Sequence, residues 1–175
     1  MKYVAFLRGI NVGKHRRVTM QELRRAFEAG GYENVSTYIA SGNVIFDASS
    51  LNTGALAQEV EAALESSLGY HVYVILRSAD EIREVVANQP FAGVEDGDEI
   101  RLNVTFLDNG ARPSPAPAEV SGFRIVGASQ RVVFSALDLQ EVGTRDVMTV
   151  LEKTYGKRIT TRSWQVIEAI VARYL

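Results

Sequence analysis

The order of hydrophobic patterns over residues 1–77 most constrains the fold. Residues 2–8 are a short apolar run closed by Gly9, as suits a strand covered on both faces. Thr19 stands three residues before Glu22, so each side chain can satisfy a backbone N–H of a first helical turn. A helix is therefore expected from Met20, with Leu23 and Phe27 on its buried face and Gly30-Gly31 as its stop. Val35, Thr37 and Ile39 alternate with Ser36 and Tyr38, Ala40-Ser41-Gly42-Asn43 is turn chemistry, and Val44-Ile45-Phe46 returns as the second arm of a hairpin. Leu56, Val60, Leu64 and Leu68 form a helical stripe ended by Gly69, and residues 70–76 are strand-like again. The order strand, helix, strand, strand, helix, strand is the split βαβ arrangement of ferredoxin-like domains.

Residues 78–175 read as a second α+β half. Ser78 and Glu81 repeat the capping-box spacing and open a helix that must stop before Pro90. Leu102, Val104 and Phe106 alternate as a strand. Residues 111–118 hold three of the four prolines, so an extended connection is expected there. Residues 123–126 and 131–137 flank Gly127-Ala128-Ser129-Gln130 as a second hairpin. Thr144 is expected to cap a helix through Val147, Leu151 and Tyr155. A last helix carries Trp164, Ile167, Val171 and Tyr174, with Thr160 or Thr161 as its cap and Arg162 and Ser163 in its first turn. An arginine there is electrostatically disfavoured, which points to a partner for Arg162, an internal carboxylate or an anionic ligand. The half looks like a degenerate echo of the first, although no repeat shows residue by residue.

Net charge is −2, which argues against a uniformly basic nucleic-acid coat, but the total hides a gradient. Residues 1–25 hold seven basic residues against Glu22 alone, a net +6, whereas residues 26–144 carry −11 and residues 145–175 carry +3. The basic start falls mostly on one connection, Arg8 to Arg17, which is long for a strand-to-helix link. Gly9 and Gly13 permit close backbone approach, and Arg8, Lys14, Arg16 and Arg17 supply positive charge ahead of a helix N-terminus. These are the parts of an anion site. They do not make a nucleotide P-loop, because only three residues separate the glycines and His15 follows Lys14.

Other chemistries find less support. The chain has no cysteine, so disulfides, thiol nucleophiles and thiolate metal sites are excluded, and His15 and His71 alone leave little for a metal centre. Asp96 to Glu99 lacks the spread of ligands of a calcium loop. An RNA-recognition sheet needs aromatics on its first and third strands; Tyr3 suits this, but Asn43 and Ile45 do not. His15 has the titration range of a general acid or base but no orienting carboxylate in sequence, and His71, out of phase with its strand, should face solvent or a neighbouring helix. No cofactor or metal motif occurs, and no run is long enough to be a signal peptide or a membrane span, so the expected address is the cytoplasm.

Leu7-Arg8-Gly9-Ile10-Asn11-Val12-Gly13, Glu22-Leu23, Ser41-Gly42-Asn43-Val44 and Thr160-Thr161-Arg162-Ser163-Trp164 together resemble a widespread bacterial family, Domain of Unknown Function 1697. The resemblance spans nearly the whole chain. It implies an α+β fold of two ferredoxin-like halves, divided here as residues 1–77 and 78–175, and brings no activity. It also implies a shared surface from Arg8, Gly9, Asn11, Gly13, Ser41, Gly42, Asn43, Arg162 and Trp164. One departure is Lys14, where a second glycine usually follows, which exchanges a backbone anion nest for a side-chain charge. The expected function is binding of a phosphorylated or anionic ligand, small molecule or nucleic acid, with Asn11 and Asn43 adding directional hydrogen bonds. The alternatives are a phosphate-handling transferase or hydrolase and a protein-interaction module using the acidic middle or an edge strand.

Overall fold

In the computed structural model the described residues are 1–11, 17–94, 97–108, 110, 122–129, 131–142 and 147–175. They form two units, Met1–Ile82 with Tyr174 and Arg83–Arg173 with Leu175, each built on a four-stranded antiparallel sheet.

In the first unit β1 (Lys2–Leu7), β2 (Glu33–Tyr38), β3 (Asn43–Asp47) and β4 (Val74–Ser78) lie in the order β2-β3-β1-β4, with α1 (Met20–Ala29) and α2 (Thr53–Leu68) as crossovers. That is the expected ferredoxin-like arrangement. Tyr3, Ala5 and Leu7 of β1 join Val44, Phe46, Val74 and Leu76 in one core with Leu23 and Phe27 of α1 and Leu56, Val60 and Leu64 of α2. Val4 and Phe6, on the opposite face of β1, are buried as well. Local signals set the helix ends. The Thr19–Glu22 capping box forms in full, and α2 ends at Gly69 in the left-handed conformation.

Two boundaries differ from expectation. Residues 70–73 precede β4 because β1 ends at Leu7, whose partner is Val74, and beyond that pair only the Arg8 N–H reaches back, to the Tyr73 carbonyl. The buried carboxylate of Glu61 on α2 accepts the Val74 N–H at 2.9 Å and anchors the start of the strand. Ile39 leaves β2 with φ +50° and lies exposed in the turn.

The second unit repeats the topology: β5 (Ile100–Leu107), β6 (Phe123–Ser129), β7 (Val132–Asp138) and β8 (Ile159–Ser163) lie in the order β6-β7-β5-β8. A short α4 (Leu139–Val142) and α5 (Val147–Tyr155) stand between β7 and β8, in the chain position of α2. The chain position of α1 falls on the connection from β5 to β6, most of which, like Thr144, lies outside the described residues. β6 does not stop at Val126; it runs to Ser129 because a bulge between Ile125 and Gly127 keeps the pairing with β7. α3 (Ala79–Ala87) and α6 (Trp164–Tyr174) each follow the last strand of a sheet directly.

The larger correction concerns residues 159–163. Arg162 and Ser163 are not in a helical first turn; they end strand β8, with Val104 opposite Arg162 and Asn103 opposite Ser163. Two ladders can now be matched, since Val4 stands opposite Arg77 as Val104 stands opposite Arg162. A residue-level echo appears: Arg77-Ser78 enters α3 and Arg162-Ser163 enters α6. Both arginines are buried, and each donates from Nη1 to the carbonyl of the preceding residue, at 2.7 and 2.9 Å.

Candidate functional site

The basic connection begins and ends on one rigid seat in the first unit. The Leu7 N–H donates to the Gly42 carbonyl at 2.8 Å and the Arg8 N–H to the Tyr73 carbonyl at 2.9 Å, which ties the end of β1 to both neighbouring segments. Ile10 then folds back over Gly42. A Cβ at position 42 would lie 2.4 Å from Ile10 Cγ2 and 3.0 Å from Leu7 Cβ, and Gly42 has φ +79°, so contact and backbone both demand glycine. Asn11, also at positive φ (+59°), closes the loop. Its Oδ1 accepts the Val18 N–H at 2.7 Å, and its Nδ2 donates to the carbonyls of Val18 at 2.9 Å and Ala40 at 3.1 Å. Residues 12–16 are thus spanned by a clamp between Asn11 and Val18.

This junction brings Arg8, Gly9, Asn11, Ser41 and Asn43 together, and it changes the role of two of them. Asn43 is fully buried and donates to the Tyr38 carbonyl at 2.8 Å and to Ser41 Oγ at 3.2 Å. It shapes the hairpin turn rather than standing exposed. Asn11 likewise gives its amide to the chain's own backbone. Arg8 is half-buried, while Gly9, Arg17 and Ser41 are exposed. Gly13, Lys14, His15 and Arg16 lie outside the described residues.

Arg162 belongs to the second unit. Besides the Thr161 carbonyl, it donates to Thr160 Oγ1 at 2.8 Å, and burial pushes its pKa down to about 10, which leaves it charged at neutral pH. It lines a cleft of about 760 Å3 with Arg101, Asn103, Ser163, Trp164 and Glu168. Ser163 sits at the N-cap of α6, but its side chain makes no capping bond. Trp164 packs edge-on against Phe91, ring centres 5.2 Å apart. Arg101 and Asn103 were not expected here; they become recognisable only once β8 is known to pair with β5.

Among the described residues no group of three or more His, Asp or Glu could hold a metal ion, and no helix is long and apolar enough to cross a membrane. His71 is exposed and faces a neighbouring helix, as expected: its Nδ1 lies 3.2 Å from Glu65 Oε2 of α2.

A family profile described as "Protein of unknown function (DUF1697)" matches residues 1–124. Among solved structures, that of conserved bacterial protein SP0830 from Streptococcus pneumoniae superposes with a TM-score of 0.73 at 22% identity, covering 98% of this chain and 96% of that one. At that identity the likeness concerns the fold. No curated protein matches.

Proposed function

The chain belongs to the DUF1697 family, which carries no assigned activity, and on that premise we propose that the Leu7–Val18 connection binds a phosphorylated or otherwise anionic ligand. The observation that carries this reading is the clamp. Asn11, Gly42 and Ile10 hold the two ends of a loop whose sequence is strongly basic. Fixing the ends before binding lowers the ordering cost of presenting the loop's side chains to a ligand.

Charge rather than amide recognition does the binding in this reading. Asn11 and Asn43 are occupied by backbone and turn, so Arg8, Lys14, Arg16 and Arg17 supply the attraction. The Thr19 capping box already serves the first turn of α1, which makes side-chain charge more important than the helix terminus. Such binding displaces counterions and must weaken steeply with salt.

The test is titration of inorganic polyphosphate and of a single-stranded RNA oligonucleotide across a salt series, with the intact chain and with Lys14→Ala/Arg16→Ala/Arg17→Ala. The triple variant should bind about tenfold or more weakly and show a flatter salt dependence. Equal binding by parent and variant at every salt concentration rules the reading out.

A further inference from the structure

The segment that enters β4 places an aromatic side chain at the root of the basic connection. Leu7 stands opposite Val74, and the Arg8 N–H donates to the Tyr73 carbonyl at 2.9 Å, so Arg8 and Tyr73 continue the same antiparallel ladder by one pair. Directly opposite residues put their side chains on one face, about 5 Å apart at Cβ. Leu7 and Val74 point into the core under α1 and α2, so Arg8 and Tyr73 share the other face.

Tyr73 is 44% exposed, yet the chain around it is held on both sides. Directly after it, the Val74 N–H is taken by the buried carboxylate of Glu61. Two residues before it, His71 lies 3.2 Å from Glu65 and 3.9 Å from Glu61, both on α2. The His71 and Tyr73 rings meet edge-on, with centres 4.5 Å apart and planes at 84°. An edge-on neighbour steadies a ring without stacking flat upon it. Single exposed tyrosines are common on protein surfaces. This one stands beside Arg8, which opens the stretch carrying Lys14, Arg16 and Arg17. Basic side chains that track phosphate, joined to an aromatic ring on which a base can stack, are the two parts of a nucleotide or single-strand site. Inorganic phosphates, sugar phosphates and lipid headgroups have no π-face to set against Tyr73.

We propose that the ligand of the basic connection is a nucleotide, as a nucleoside polyphosphate or within a single strand, with a base stacked on Tyr73 and phosphate on Arg8 and the basic residues that follow. This rests on the function proposed above for that connection and adds the base to it.

The experiment compares ligands of similar charge in pairs on the intact chain: ATP with inorganic triphosphate, and a short single-stranded RNA with an abasic strand of the same length. The base-bearing member of at least one pair should bind about tenfold or more tightly. A preference in the ATP pair identifies a free nucleotide, and one confined to the RNA pair identifies a strand. Tyr73→Ala should erase the preference and leave triphosphate binding within about twofold, whereas Tyr73→Phe, which keeps the ring, should retain it. The paired ligands on the unaltered chain decide the matter even if Tyr73→Ala disturbs the fold. The inference is overturned if base-bearing and base-free ligands bind alike, or if folded Tyr73→Ala keeps the preference. In either case, loss of base-free ligands in Lys14→Ala/Arg16→Ala/Arg17→Ala leaves the loop reading standing. Binding of no polyanion, or binding indifferent to that triple variant, defeats both.

Discussion

The two units share one topology and differ in what fills the same place on the sheet. In the first, Tyr3 stands opposite Phe46 and Ala5 opposite Leu76, and α1 and α2 cover that face. In the second, the matching positions are Asn103 opposite Ser135 and Thr105 opposite Thr161. Its apolar cluster gathers instead around Leu107, Val133 and Ile159 under Leu151 and Tyr155 of α5. The Thr105 and Thr161 hydroxyls bond to each other at 2.8 Å, and the buried Ser135 hydroxyl finds no partner among the described residues. A fold can thus keep its pairing while exchanging part of a core for polar surface. Leaving buried polar groups in such a position costs stability.

The largest expected difference between the units lies at two glycines. Gly42→Ala places a Cβ within 2.4 Å of Ile10 and strains a positive φ, and should cost about 3–4 kcal/mol in urea unfolding. Gly127→Ala in β6 meets only Phe134 Cδ2, at 3.8 Å, and should stay within about 0.5 kcal/mol of the parent. Equal unfolding midpoints for these two variants would show that the loop seat is no tighter than an ordinary strand position.

Alkaline pH acts with opposite sign on Tyr3 and on Arg162. Burial raises the Tyr3 phenol above its ordinary value of 10, so the unfolded chain gives up that proton first and stability falls as pH rises past 10. Arg162 behaves oppositely. Burial holds its folded pKa at about 10, below that of the unfolded chain, so above pH 10 the unfolded chain holds the extra proton and stability rises with pH. Urea midpoints measured from pH 9 upward should therefore show the parent losing ground to Tyr3→Phe and gaining on Arg162→Gln. Parallel curves for parent and Arg162→Gln would mean that the cleft leaves this guanidinium as hydrated as a surface group.

The smallest contrast is between two helix N-caps. Thr19 forms a complete capping box, and Thr19→Ala should cost about 1 kcal/mol. Ser163 caps α6 without a side-chain bond, so Ser163→Ala should change stability by less than about 0.3 kcal/mol. A Ser163→Ala loss as large as that of Thr19→Ala would show that its hydroxyl serves the helix in solution rather than facing the cleft.

Much of the fold could be read along the chain. The two capping boxes, the stripe of α2, its stop at Gly69 and the hairpin around Ser41-Gly42 all depend on residues within a few positions of one another. Strand β8 could not be read in the same way. Ile159 and Thr161 face one side while Thr160 and Arg162 face the other, so Ile159 is the only apolar residue of the strand and no apolar-polar alternation shows. Sequence alone places the second unit's hairpin turn at Gly127 to Gln130, because a bulge at Gly127 cannot be told from a turn without its partner strand. In the site, basic charge and glycine spacing marked the loop. The asparagines within it looked like ligand groups because nothing in one dimension shows that Asn11 reaches Val18 and Ala40.

The order of amino acids settled what local chemistry controls: where helices begin and end, which strand is apolar on both sides, and where positive charge collects. Pairing between distant segments settled the rest. Leu7, Ile10 and Gly42 meet because β1 and β3 are hydrogen-bonded neighbours, and Thr105 meets Thr161 because β8 pairs with β5. Helix caps and periodicity act over three or four residues, whereas these contacts close loops of about thirty to sixty residues, and only the folded backbone brings such segments within reach of each other.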